Sequence, residues 1–344
     1  MKDLKTKTKK PEKEENYDLI IIGAGGTGLA GAMYGARLGL KTLVLGATCG
    51  FELPVGGVIT TTNVVENYPG FIRLTGAELA EKIEKHARSY DLVTIKEEKV
   101  IEIKKQNAGP QTSLSKDQTK SKNFFKVKTE KTEYITKTII FATGTKWKKL
   151  PDNVKGAKEF ENKGVNYCAL CDGPLYKNKI VAIVGGSDSA AKDALVLAEH
   201  AKKVYMIYRG EKIHPEPINF ERVKANKKIE IINSTNIKEI RGDSLVREVV
   251  LDKPYKKSKI LKLDAVFVAI GHIILSELAK TLGVKTNEKE EIITDKTAST
   301  NIQGVYAAGD VANTPFKQLI TGVAEGCVAA YSAYEYITKN KVEV

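Results

Sequence analysis

Cysteine is scarce in this chain, with four in 344 residues. Cys49 and Cys327 stand alone and only Cys168 and Cys171 are neighbours, which excludes a disulfide framework of the secreted kind. A reducing, cytoplasmic setting is expected. No apolar run approaches the ~18 residues that span a bilayer, so neither a transmembrane helix nor a membrane partner is expected. Behind the charges of residues 1–10 comes no apolar stretch, so this segment does not read as a secretory signal. Residues 1–16 are expected to form a flexible charged tail. Lys and Arg number 55 against 42 Asp and Glu, a net charge of +13. The lysines are spread through every segment, often beside glutamates, with no compact basic motif interleaved with aromatics. A solvated Lys/Glu surface is expected, and no nucleic-acid partner. A second Cys-x-x-Cys is also missing, and the four histidines (His86, His200, His214, His272) are scattered. Zinc wants about four ligands, so no metal site is expected.

What is present begins with Cys168-Ala169-Leu170-Cys171-Asp172-Gly173. The apolar run 180–184 follows and ends in Gly185-Gly186-Ser187. A Cys-x-x-Cys beside a strand–turn–helix unit reads as a redox pair. At 344 residues, 42 % of them hydrophobic, the length suits two or three domains with a real core.

Near the start, residues 17–22 are a continuous β-prone run ending in Gly23-Ala24-Gly25-Gly26-Thr27-Gly28. A helix over 29–38 and a buried strand over 41–45 complete a βαβ unit with G-x-G-x-x-G in its turn. Gly23 permits the tight turn, Gly25 lets a pyrophosphate approach the backbone, and Gly28 lets helix and strand pack closely. The phosphates would sit on the helix N-terminus. The acidic residue that usually closes the second strand is missing, since Leu45 is followed by Gly46. An amphipathic helix is expected over 76–89. Strands are expected over 93–95, 99–103, 124–129, 134–136 and 138–141, the last running into Ala142-Thr143-Gly144. The polar stretch 106–122 reads as an exposed loop. A second nucleotide-type unit starts at 179, with the turn Gly185–Ala190, a helix over 191–200 and a strand over 204–208. Strands over 229–232, 246–251 and 265–270 follow. Val305–Asp310 is a strand with an acid at its end, and 318–337 a long helix. The fold class is α/β, with two Rossmann-like units.

Two dinucleotide folds with a Cys-x-x-Cys between them is the architecture of a flavin-dependent disulfide reductase. From about 17 to 336 the chain resembles the low-molecular-weight thioredoxin reductases. The resemblance is carried by the first glycine turn, Thr60-Thr61-Thr62 with Glu66-Asn67-Tyr68-Pro69-Gly70, Ala142-Thr143-Gly144, Cys168 to Gly173, Ala307-Ala308-Gly309-Asp310, and 318–327. It implies two three-layer ββα domains, the second inserted into the first. An FAD domain would cover 17–146 and 269–344, and an NAD(P)H-type domain with the redox cysteines 147–268. It implies FAD contacts at Gly23, Gly25, Gly26, Thr27, Gly28, Gly57, Thr62, Asn67, Ala142, Thr143, Gly144, Gly309, Asp310, Gln318 and Leu319. It implies a homodimer, a rotation between domains, and a thioredoxin- or glutaredoxin-like partner. Cys171 would lie nearest the flavin, Cys168 would attack the partner disulfide, and Asp172 would manage the proton.

The second nucleotide site (Gly185, Gly186, Ser187, Asp188, Ser189, Arg209) departs from the family. Ser187 replaces the second glycine of G-x-G-x-x-A. The family's His-Arg-Arg-x-x-x-Arg is Tyr208-Arg209-Gly210-Glu211-Lys212-Ile213-His214, with one arginine of three and a carboxylate amid the site. The family's Gly-Gly-Gln is Gly56-Gly57-Val58. NADPH is therefore expected to be a poor donor, leaving NADH, reduced ferredoxin or a reduced deazaflavin. A flavin NAD(P)H oxidase or ferredoxin reductase on this scaffold would lack the cysteine pair. A non-catalytic FAD-binding protein would have no use for it.

Overall fold

The computed structural model describes residues 15–46, 54–62, 64–107 and 123–340. Cys49 and residues 108–122 of the expected loop lie outside that range.

The first sheet grows from β1 (Glu15–Ile22), which pairs in parallel with β2 (Thr42–Leu45) and with β6 (Glu133–Phe141). Leu19, Ile20 and Ile21 are fully buried, as expected of a parallel strand covered on both faces. Between β1 and β2 runs α1 (Gly26–Arg37). Next come α2 (Gly76–Arg88), held at its start by a Thr75–Glu78 capping box, and β3 (Val93–Lys96), which pairs with β2. β4 (Val100–Asn107) and β5 (Asn123–Thr129) form an antiparallel ribbon on the first half of β6. The second half of β6 pairs with β17 (Val305–Ala307), close to the C-terminal helix α7 (Leu319–Asn340).

The chain leaves this unit through β7 (Thr145–Trp147) and returns through β16 (His272–Ile274), which pair with each other. Between them lies a second parallel sheet. Its members are β8 (Val165–Asn166), β9 (Ile180–Val184), β10 (Lys203–Ile207), β11 (Ile229–Ile232) and β15 (Ala265–Val268), in the order β11-β10-β9-β15-β8. Its helices are α3 (Ala169–Asp172), α4 (Asp188–His200) and α5 (Pro217–Ala225). An antiparallel sheet of β12 (Ile237–Gly242), β13 (Val246–Tyr255) and β14 (Ser258–Lys262) sits beside it. A short helix, α6 (Glu277–Thr281), packs on the first unit's ribbon.

The structure corrects several expected boundaries. Glu15 and Asn16, assigned to the tail, pair with Tyr134 and Ile135 at the start of β1. The runs 134–136 and 138–141 are one strand, because β5 covers its first half and β17 its second. Gln106 and Asn107 extend β4 instead of opening a loop. Both nucleotide-type helices start three residues early, at Gly26 and Asp188. α5 was not expected, because its face is barely amphipathic and only the proline at its first turn marks its start. Among the described residues no helix is long and apolar enough to cross a membrane.

Candidate functional site

The first glycine turn connects β1 to α1. Gly23 is at φ +119°, and a Cβ there would stand 2.1 Å from the Ala142 carbonyl oxygen, so the tight turn demands glycine. A Cβ on Gly28 would meet the Gly23 carbonyl oxygen at 1.9 Å. Gly25 caps α1 in extended backbone, with no side-chain cap and no acid in the first turn. The positive end of α1 is thus bare.

Around it the structure gathers the other residues expected at FAD. Gly56 donates its amide to Ala24 at 2.8 Å, and a Cβ on Gly57 would stand 3.1 Å from the Gly25 Cα. Thr62 accepts the amide of Gly76 at the start of α2 (2.8 Å). Ala142, Thr143 and Gly144 follow β6, and the Thr143 hydroxyl donates to the Leu275 carbonyl (2.7 Å). Asn67 donates to the Gln318 side chain (2.9 Å). A Cβ on Gly26 would touch the Leu319 side chain, and one on Gly309 the Thr27 hydroxyl.

Two residues overlooked in the sequence hold this corner. Glu325 accepts the Gly309 amide at 2.8 Å. Lys317 donates to the carbonyls of Asp310 and Ala312, both at 2.8 Å, and pairs with Glu291 at 3.1 Å. The Asp310 carboxylate takes no hydrogen bond from the described residues. A bare helix end, a cradle that side chains would fill and a free carboxylate at its edge fit a dinucleotide's phosphates and hydroxyls.

Cys168 and Cys171 form a disulfide, Cα atoms 5.3 Å apart. Cys168 caps α3, and the Cys171 amide donates to its Sγ at 3.1 Å. Cys168 is half-buried and Cys171 exposed. Asp172 is half-buried too, and burial lifts its carboxyl above the ordinary aspartate range. Cys171 opens into a cleft of about 450 Å³ whose other walls include Thr60, Thr61, Ala77, Ala80 and Glu84 of the first unit. The disulfide therefore faces the same wall that contacts the first glycine turn. Across the units, Arg222 of α5 pairs with Glu66 at 2.8 Å. The remaining described cysteine, Cys327, is half-buried, and burial pushes its thiol up to about 11, which makes it inert.

The second glycine turn keeps the fold but not the vacancy. Gly185, at φ +152°, makes the tight turn. Ser187 is the extended N-cap of α4 and its side chain caps nothing. Asp188, on the first residue of α4, accepts the Glu216 amide (2.9 Å) and the Asn219 side chain (2.8 Å) and pairs with Lys192 (2.8 Å). Burial works to raise its carboxyl, but Lys192, Asn219 and the Glu216 amide together bring it below the usual range. Ser189, Arg209 and Glu211 are exposed. Two carboxylates thus belong to this region, the exposed Glu211 of the strip 208–214 and the half-buried Asp188 at the start of α4.

The pyridine nucleotide-disulphide oxidoreductase family model matches residues 17–326. A 34.2 kDa protein in the rubredoxin operon of Clostridium pasteurianum is 36 % identical over 95 % of this chain and 99 % of its own length. Thioredoxin reductase of Bacillus subtilis is 33 % identical over 94 % and 96 %. The crystal structure of Lactococcus lactis thioredoxin reductase in its FR conformation superposes with a TM-score of 0.81, at 34 % identity, over 94 % of this chain and 99 % of that one. With two nucleotide-type units, a bare glycine turn and a disulfide facing the wall that contacts it, the chain belongs to the pyridine nucleotide-disulphide oxidoreductase family.

Proposed function

We propose that this chain is a thioredoxin-disulfide reductase that uses FAD and takes its electrons from a donor other than NADPH. The observation that carries the reading is the Cys168–Cys171 disulfide, with Cys171 opening on the cleft beside the first glycine turn. The division into an FAD unit (17–146 with 269–344) and an inserted unit (147–268) follows the two sheets and the β7–β16 ribbon between them. The reading includes a cytoplasmic homodimer.

In the FAD unit, the amides at the start of α1 would hold the phosphates, Gly57, Thr62 and Asn67 would hold the flavin side, and Asp310 would bond the sugar-alcohol chain. The positive end of α7, at Gln318 and Leu319, would stabilise negative charge on the reduced ring system. FAD held there, once reduced by the donor, would supply the two electrons that the Cys168–Cys171 disulfide takes up. Those electrons break the sulfur–sulfur bond, and Asp172, whose carboxyl burial shifts towards the protonated form, is placed to hand a proton to a leaving sulfur. In the dithiol, the Cys171 amide donates to Cys168 Sγ and favours its thiolate. Cys168 attacks the thioredoxin disulfide and one thioredoxin sulfur leaves. Cys171 then attacks Cys168 Sγ, the second thioredoxin sulfur leaves, and the internal disulfide re-forms.

The donor reading rests on Ser187, on the single exposed Arg209 and on Asp188. NADH, reduced ferredoxin and a reduced deazaflavin are the candidates. Anaerobic mixing with each donor tests it: NADPH at micromolar concentration leaves the flavin yellow, and fast bleaching by it overturns the donor reading. Cys171→Ser should keep FAD and lose at least ~1000-fold in thioredoxin reduction. Full turnover in that variant overturns the reductase reading.

A further inference from the structure

At the second glycine turn, one side chain occupies a place that the fold reserves for a ligand. In a dinucleotide-binding βαβ unit the ribose lies between the glycine turn and the end of the second strand, and the pyrophosphate on the helix N-terminus. The residue just past β10, the second strand of this unit, is Tyr208. Its ring lies on the turn. A Cβ added to Gly186 would stand 2.5 to 2.7 Å from three of its ring atoms. A Cβ added to Gly210 would meet the opposite edge of the ring at 2.5 to 2.9 Å. Neither glycine has the left-handed backbone that requires glycine, so both make room for the ring.

The ring is also pinned. Its hydroxyl shares a hydrogen bond with His214 Nδ1 (3.3 Å), and the His214 amide donates to the Gly186 carbonyl (2.8 Å), folding the strip 208–214 over the turn. The Thr235 amide holds the Tyr208 carbonyl at 3.0 Å, and the Ser234 amide holds that of Gly210 at 2.8 Å. At the adjoining helix end, the first residue of α4 is Asp188, whose carboxylate takes three partners from α4 and from the start of α5.

We infer that Tyr208 is the donor-specificity residue of this enzyme. Its ring fills the ribose seat, and the Asp188 carboxylate adds negative charge at the helix end that phosphates would need, so the second unit excludes NADH as well as NADPH. The donor is a carrier that delivers electrons at the FAD unit without lodging a nucleotide in the second unit. This rests on the reductase reading for its meaning, and narrows its list of donors by removing NADH.

Calorimetric titration of the FAD-loaded protein with ADP and with NADH tests it. The wild type and Tyr208→Phe, which keeps the ring, should take up neither at about 1 mM, a weak-binding ceiling. Tyr208→Gly should gain at least tenfold in ADP affinity, and adding Asp188→Asn should gain more. If Tyr208→Gly does not fold, Tyr208→Ala is read in the same way. Micromolar binding of either nucleotide by the wild type overturns the inference, as does a folded Tyr208→Gly or Tyr208→Ala protein with no gain. Thioredoxin reduction by photoreduced wild-type enzyme is measured alongside. Its failure overturns the reductase reading and leaves the nucleotide result standing, whereas nucleotide binding with intact thioredoxin reduction overturns only the inference.

Discussion

The two glycine turns differ by a handful of side chains in the same frame. Each links a parallel strand in the middle of its sheet to a helix of similar length, 12 residues in α1 and 13 in α4. In each, a glycine of positive φ would drive a Cβ into a neighbouring strand's carbonyl, Ala142 for Gly23 and Ala269 for Gly185. Yet the first helix begins with no acid, while the second begins with Asp188 in a three-partner network and has the Tyr208 ring on its turn. The backbone makes a nucleotide seat possible, and the residues at its rim decide whether it stays open. Fold alone does not assign a ligand.

Changes at the two turns should break that symmetry. The largest effect is expected from Gly28→Ala, whose Cβ would sit 1.9 Å from the Gly23 carbonyl oxygen. Overpacking of this kind costs about 1–3 kcal/mol or more. FAD content and thermal stability should both fall, read by flavin absorbance and calorimetry. At the second turn, Ser187→Gly should leave FAD content unchanged. Equal FAD loss from both would erase the distinction.

Next in size is Asp172→Asn, which removes the proton donor beside the disulfide and should slow thioredoxin reduction by about 10²-fold. The loss should be largest below the raised carboxyl pKa, where the wild-type group is protonated, and should shrink at higher pH.

A smaller effect concerns Asp193 on α4, whose carboxyl burial pushes up to about 7. The folded state holds its proton more tightly than the unfolded state. Its contribution to stability is therefore complete below pH ~4 and is lost as pH rises towards 7. Part of its surface still meets solvent, which limits the effect to about 1–2 kcal/mol. Asp193→Asn should raise the unfolding midpoint at pH 8 and leave it unchanged at pH 4. The smallest effect is expected at the Glu66–Arg222 pair between the units. Glu66→Gln should cost less than ~1 kcal/mol, while small-angle scattering should show the two units less restrained. An unchanged profile would remove the pair as a tie between them.

Much of this was legible in the chain. The parallel strands of both sheets read as apolar runs because helices cover both faces, and the turns read through glycines, of which Gly23 and Gly185 have the positive φ that needs glycine. The disulfide and its acid were visible as Cys168-Ala169-Leu170-Cys171-Asp172. Less legible was whatever depends on a partner far along the sequence. Lys137, a charged break in an apolar run, made β6 look like two strands, and only its pairing with both β5 and β17 shows one. Ser187 and the missing arginines flagged the second site. The groups that fill it could not be read off, because Asp188 takes its partners from Lys192, Glu216 and Asn219, and Tyr208 needs two glycines to lie flat. Lys317 stands outside every motif and Glu325 inside the stretch 318–327 without a role of its own, and both are known only by the backbone groups they hold.

The central claim is that electrons entering the bound flavin leave through Cys168 and Cys171. Anaerobic photoreduction of the FAD-loaded enzyme, followed by addition of oxidised thioredoxin and a thiol count on both proteins, measures it directly. The account predicts that the flavin returns to yellow as thioredoxin gains two thiols per electron pair, and that Cys168→Ser and Cys171→Ser leave thioredoxin oxidised. Reoxidation of the flavin with no new thiols on thioredoxin, or full transfer in either variant, would contradict it.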